Sequence, residues 1–371
     1  MKVSVFAAIC VVLAVSLMPA ATPVAFPLFI GTYGKTAGAG IYRVTFDPTS
    51  GALSEPHRVA DLVRPSFLAY SPDRKKLYAI NHGDDSIVAF AVDSAIGTLR
   101  EINRQPLDAG GSCYVGVAPT ARTLVAISYG DAVVTAFPIR ADGGLEPRSA
   151  QFRHEGRGPN EARQEKAHAH SVTFSPDGRF GYVCDLGMDR VVAYRLGDQP
   201  GEIVRAPEAD GVTPPGTGPR HSKMTADGRY LYVINELSGS VSVFRRDPDT
   251  GRLELIETVS SLREGFQGEN GSSEIHLHPE ERFIFAANRG PDDLAVFARD
   301  PSTGRIQRIQ NIATGGAHPR HFGQSRDGRW LIAANRDSNN LVVFSFDHSE
   351  GKLTPANHRT TVPEPVCVLF P

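Results

Sequence analysis

The strongest constraint on this chain is a motif that it repeats six times. "FLAYSPDRKKLYAIN", "YVGVAPTARTLVAIS", "SVTFSPDGRFGYVCD", "SKMTADGRYLYVIN", "IHLHPEERFIFAAN" and "FGQSRDGRWLIAAN" each read as an alternating segment, a polar turn and a second apolar segment. Period-two alternation is the signature of a half-buried β-strand. The turn "SPDGR" supplies a preset φ from proline, a side-chain acceptor from aspartate and a positive φ from glycine. In every copy eight residues separate the turn position from the polar residue ending the second segment, from Asp73 to Asn81 through Asp327 to Asn335. A third strand follows each copy, such as "SIVAFAVD" or "LVVFSFD", and most copies continue through a turn like "DPDTGRL" to a weaker fourth.

Four antiparallel strands at this spacing make one blade of a β-propeller. The copies start 47 to 57 residues apart, longer than the ~40–45 of WD40 blades and nearer kelch spacing. Two pieces remain. The segment opening "FPLFIGTY" supplies second, third and fourth strands with no first, and the final "PVCVLFP" is a first strand with nothing after it. Joined, they complete a seventh blade and close the ring, which removes its open edge. The expected fold is therefore all-β: a seven-bladed propeller over residues 26–371, four antiparallel strands per blade, closed by the two terminal segments sharing one blade.

Residues 1–25 differ in kind. One lysine, an apolar run from Val3 to Met18, then Pro19 and small residues follow the grammar of a secretory signal peptide. The run falls short of the ~20 residues of a spanning helix. We expect a secreted or periplasmic protein whose mature chain begins between Ala20 and Phe26 and carries no membrane span. The three later cysteines, Cys113, Cys184 and Cys367, are too few and too scattered for a disulfide framework. A formal net charge of −2 with no basic stripe gives no indication of a nucleic-acid partner.

Without homologues, the copies serve as controls for one another. The first strand of a blade leaves one mouth of the ring and the second returns to it, so the start of the former and the end of the latter share that mouth. Six residues before the turn proline or its equivalent stand Ser66, Cys113, His170, Arg220, Ser273 and Arg320; the next position reads Phe67, Tyr114, Ser171, His221, Glu274 and His321. Just after the repeated Asn or Asp come His82, Tyr129, Leu186, Glu236, Arg289 and Arg336. The repeated Asn reads as a strand-end cap. By contrast, His170, Arg220, His221, Glu236, Arg289, Arg320 and Arg336 are not demanded by the repeat. Several fixed guanidiniums suit a small oxygen-rich anion, and a histidine or glutamate can move a proton near neutral pH. The competing reading is a ring of salt bridges between blades. "HAH" at His168–His170 and "HLH" at His276–His278 each set two imidazoles on one strand face, yet neither has an acidic partner in a recognisable motif, so no metal and no cofactor are expected.

With these residues in view, the chain resembles the seven-bladed propeller lactonase family. That family includes the bacterial propeller-type 6-phosphogluconolactonases and the fungal carboxymuconate-lactonizing enzymes. The likeness runs from "FIGTY…GIYRVTFDPTSGALS" through "GPRH", "YVINE" and "ANRG" to "ANRDSNNLVVF"; the "GPRH…NE" pair is its most specific part. The resemblance implies that His170, Arg220, Glu236 and Arg289 carry the chemistry, with His168 a rival for the histidine. It implies hydrolysis of a small anionic lactone. A muconate-type cycloisomerase and an exported, non-catalytic binding propeller are the alternatives. On this reading His170 is the general base, Glu236 orients it or shares the proton, and Arg220 or Arg289 faces the carbonyl oxygen. Arg320, Arg336 and His321, with His168 and His221 nearby, would hold the rest of the substrate. Two departures qualify the likeness: Ser128-Tyr129 replaces the Asn-Tyr pair of many relatives, and 6-phosphogluconolactone is a cytosolic metabolite whereas this chain reads as exported.

Overall fold

The structure, a computed structural model, describes Met1, residues 24–34 and residues 38–371. Most of the expected signal segment lies outside the described residues. Seven antiparallel sheets follow one another around a ring. Six run from inner to outer strand in chain order, beginning at Leu68, Ser112, Ala169, Pro219, Gly271 and Pro319 (blades 1 to 6). In the seventh, Pro365–Leu369 is the inner strand and pairs antiparallel with Phe26–Thr32, Ile30 opposite Val368. Ile41–Phe46 and His57–Ala60 complete it. The ring closes as the sequence implies. Blade 3 departs from four strands: a short fifth, Gly211–Val212, pairs with Arg190 and Val191.

Second strands such as Tyr230–Asn235 are buried along their whole length, because both faces of a blade pack against neighbours. The apolar clusters accordingly lie between blades. Arginines on third strands fasten adjacent blades. Arg246 Nε donates to the Tyr182 hydroxyl at 2.9 Å and its Nη2 pairs with Asp177 at 3.1 Å. Arg299 Nε reaches Tyr232 in the same way at 2.5 Å. Arg246 thus fastens its neighbour through a salt bridge, and Arg299 by hydrogen bonding instead. The repeated asparagines act as caps: Asn81 Oδ1 accepts the Val63 N–H at 2.9 Å, and Asn288 Nδ2 donates to the Ser261 carbonyl at 3.0 Å. Cys113, Cys184 and Cys367 are free thiols.

One irregularity positions the site. In blades 2 to 7 the inner strand slips register near its start, leaving a residue unpaired. The skipped residues are Cys113, His170, Arg220, Ser273 with Glu274, Arg320 and Val366. A bulge re-aims the side chain at the extra residue and bends the strand. Here it turns Cys113, His170 and Arg320 into a cavity at one mouth and Arg220 and Val366 into the space beneath.

Candidate active site

The mouth cavity has a volume of about 310 Å³. His170, Glu236, Arg289 and Arg320 line it, together with Arg163 and Tyr129. Ser66 and His82 of blade 1 lie on the wall across the ring, Ser66 Oγ 2.9 Å from His82 Nε2.

Glu236 organises one side. Gly218 adopts φ +67, a conformation that favours glycine, and its carbonyl accepts the Glu236 N–H at 2.7 Å. This ties together the two ends of the "GPRH…NE" pair. Arg163 Nη2 stands 2.6 Å from Glu236 Oε1, while Arg220 Nε and Arg289 Nη2 stand 2.9 and 2.8 Å from Oε2. Burial alone would raise the Glu236 pKa; Arg289, Arg220 and Arg163 outweigh it and hold the carboxyl far below its usual range. A carboxylate so stabilised is a poor proton acceptor. Its role is to order guanidiniums.

Arg220 is 2 % exposed and fully engaged. Besides Glu236, its Nη1 donates to the Ser273 carbonyl and to His221 Nε2, the latter at 3.2 Å. Burial, then repulsion from Arg320 and Arg289, lowers its pKa to about 9, which leaves it charged at neutral pH. Arg320 differs. Its guanidinium lies 5.3 Å from the Tyr33 ring centroid and, among the described residues, makes no side-chain hydrogen bond or ion pair. Three guanidiniums (Arg163, Arg220, Arg289) thus meet one carboxylate and a fourth, Arg320, stands unpaired beside them, leaving the mouth strongly positive.

His170 packs edge-on to Tyr129 and His221, with ring centroids 5.5 and 5.0 Å away. Its Nδ1 is 3.9 Å from Cys113 Sγ, and its Nε2 has no partner among the described residues. Burial first, then the charges of Arg220, His221 and Arg320, push its pKa well below the ordinary value, so the ring is neutral at pH 7. Burial pushes the Cys113 thiol up to about 12, which keeps it protonated and non-nucleophilic.

The remaining sequence candidates do not line this cavity. His168 is occupied on both nitrogens: Nδ1 is 3.2 Å from the Tyr129 carbonyl and Nε2 3.1 Å from Glu165, while the ring stacks on Tyr129 at 4.4 Å. It supports Tyr129 rather than rivalling His170. Arg336 turns to Asp337, 2.6 Å away, outside the cavity. His221 and His321 lie one layer deeper, where both touch Glu274 Oε2, at 2.9 and 3.1 Å. The expected pairing of imidazoles on one face also fails. The register slip between Ala169 and Ser171 separates His168 from His170. His276 and His278 enter different clusters, Glu274–His276–His321 and His278–Glu280–His348, each with a glutamate two residues away. Val368 N–H donates to His321 Nδ1 at 3.2 Å, which places the proton of that neutral ring on Nε2, facing Glu274. Glu274 with His221 and His321 therefore fits a hydrogen-bonded hub better than a metal site, His276 standing off at 3.7 Å.

Arg163 and Glu274 were not singled out from the sequence. Arg163 comes from the long loop 154–168, which is pinned at both ends by Asp185: to His154 Nδ1 at 2.6 Å and to the His168 N–H at 2.8 Å. Next to it, the buried Gln164 donates to the Leu186 carbonyl and to Asp189, both at 2.8 Å. The loop's length was the available signal, since ordered loops often carry function.

Comparison with known proteins agrees with this geometry. Residues 27–370 match the family described as lactonase, 7-bladed beta-propeller. A 6-phosphogluconolactonase of Bacillus subtilis is 33% identical over 344 residues, covering 92% of this chain and 97% of that one. A 6-phosphogluconolactonase of Formosa agariphila is 31% identical over 305 residues, covering 80% of this chain and 85% of its own. The solved structure of a periplasmic gluconolactonase of Pseudomonas aeruginosa superposes with a TM-score of 0.87 at 32% identity, covering 94% of this chain and 99% of that one. This chain, a propeller ring closed by its two terminal segments with a polar mouth built on inner-strand bulges, belongs to the seven-bladed β-propeller lactonase family.

Proposed function

We propose that this lactonase hydrolyses a small anionic sugar lactone to the free acid, and that it does so outside the cytoplasm. One observation carries the reading: an unpaired guanidinium, Arg320, shares a positive cavity with a neutral histidine whose Nε2 is free. His170 Nε2 takes a proton from water as the water oxygen bonds to the lactone carbonyl carbon. The carbonyl electron pair moves onto its oxygen, beside Arg320 and Arg289. A fixed cation there favours the transition state over the ground state. Collapse reforms the carbonyl and breaks the ring C–O bond, and the proton on His170 passes to the departing alkoxide. Glu236 keeps Arg163, Arg220 and Arg289 in place throughout. Ser66 and His82 offer hydrogen bonds to substrate hydroxyls.

The names of relatives support a sugar lactone: two act on 6-phosphogluconolactone by name, and a third is a periplasmic gluconolactonase. The third bears also on export, which the first 25 residues suggest on their own. Acid release from 6-phosphogluconolactone, gluconolactone and a carboxymuconolactone, followed with a pH indicator, tests the activity. Loss of muconate absorbance without acid release from any lactone would overturn it. Mass spectrometry of the N-terminus tests export: an intact Met1 on a cytosolic protein contradicts it.

A further inference from the structure

The opposite mouth, ringed by the repeated turns, opens into a larger cavity of about 500 Å³. Three cations line it: Arg74 and Arg326 from turns of blades 1 and 6, and Lys223 from the inner strand of blade 4. Among the described residues none of the three side chains has a hydrogen bond or ion pair. No acidic side chain lines the cavity. The chain carries a net charge of −2, so three unpaired cations lining one cavity are a local excess that needs a cause. Two of them repel each other: burial first, and Arg326 second, lowers the Arg74 pKa.

Two side chains of the lining, His276 and Gln324, each carry an atom that wants a partner. His276 Nε2 and Gln324 Oε1 are buried without a hydrogen bond. The nearest carboxylate oxygen to the former, on Glu274, is 3.7 Å away, too far for one. Buried polar atoms are rarely left unpaired without a functional reason. Tyr70, Phe174 and Phe370 add flat apolar walls. Cations ask for an oxyanion, the orphaned atoms for hydroxyls, and the aromatic walls for the apolar face of a ring.

From this geometry we infer that the lower cavity is a second binding site, separate from the catalytic mouth, for a small hydroxylated oxyanion with a phosphate or carboxylate head. The ligand's head lies among Arg74, Lys223 and Arg326, and its hydroxyls face His276 and Gln324. Because His276 and His321 of this cavity both contact Glu274, an occupant abuts the layer that supports Arg220.

Calorimetric titration of the mature protein with glucose 6-phosphate, gluconate and inorganic phosphate tests the inference and separates the sources of affinity: sugar with phosphate, polyol with carboxylate, or the head alone. At least one of the three is expected to bind at two sites. The double variant R289A/R320A should keep only the lower site. K223M/R326M should keep only the upper, with lactone turnover unchanged. Should that variant fold poorly, R326M alone, altering an exposed side chain, is expected to weaken the lower site roughly tenfold, as loss of a charge-assisted contact implies. Binding of none of the three ligands to R289A/R320A up to 10 mM (about ten times the ~1 mM scale of weak affinity), or two unchanged sites in folded K223M/R326M, overturns the proposal.

Discussion

Two glutamates stand in the channel of this propeller, one layer apart, and the chain treats them differently. Glu236 is met by three guanidiniums, Glu274 by three imidazoles. Both are 6 % exposed or less, and both are held ionised well below the usual carboxylate range. The partners of Glu236 carry fixed charge, so its surroundings stay cationic at any ordinary pH and suit an anionic substrate. The partners of Glu274 are neutral: burial drives His221 to about 3 and His321 to about 4, even though the glutamate pulls each the other way. Each of these two rings presents an N–H to the carboxylate and an acceptor elsewhere, to Arg220 and to the Val368 N–H. Substrate chemistry and support are therefore stacked, joined by the Arg220–His221 hydrogen bond. Arginine makes a binding surface; neutral histidine makes a scaffold that acid can undo.

The comparison breaks most directly at Glu236. Glu236→Gln leaves the buried Arg220, the partly buried Arg289 and the more exposed Arg163 facing one another, and removing one partner of a buried pair such as Arg220–Glu236 typically costs about 3–5 kcal/mol. A large fall in the denaturation midpoint is expected, with turnover lost by roughly 10²-fold or more as the guanidiniums disperse. An unchanged midpoint and rate in urea denaturation and lactone assays would refute the organising role. His170→Ala should leave the fold intact and lower kcat by about 10²–10⁴-fold. His168→Ala should act more weakly, through Tyr129. If the two effects are reversed, the base has been misassigned.

Acid should sharpen the contrast between the layers. His221 and His321 are neutral in the folded protein and titrate near ~6.5 when unfolded. The unfolded chain therefore binds more protons, so stability is full above about 6.5 and declines as pH falls toward the folded values near 4 and 3. Each ring contributes a slope of up to about 1.4 kcal/mol per pH unit. His221→Gln with His321→Gln should flatten that slope between pH 6.5 and 4.5, measured by urea midpoints, even at lower overall stability. An equally steep slope in the double variant would show that the Glu274 layer is not the acid-sensitive one. The smallest effect is expected at Arg336→Ala. Its partial exposure and its pairing with Asp337 outside the cavity predict ~0–1 kcal/mol in stability and an almost unchanged KM. A severalfold rise in KM would bring Arg336 back to the substrate.

The sequence by itself determined the blades, their number and the closing of the ring. Strand alternation and turn chemistry are local, and six copies with constant spacing repeat the message until it cannot be misread. It also placed His170, Arg220, Glu236, Arg289 and Arg320 at one mouth, because strand direction decides which ends share it. Only the tertiary structure decided what each group meets. The same register slip frees Arg220 and Arg320, both after a proline in the near-identical "GPRH" and "HPRH", yet Arg220 meets Glu236, His221 and the Ser273 carbonyl whereas Arg320 lies over the Tyr33 ring. Arg163 reaches Glu236 across 73 residues, from a loop whose path no local pattern specifies. Glu274 collects His221 and His321 from the blades on either side, 53 and 47 positions away. Such contacts depend on how blades lean together around the channel, and a charge buried there is set by distant neighbours rather than by its own strand.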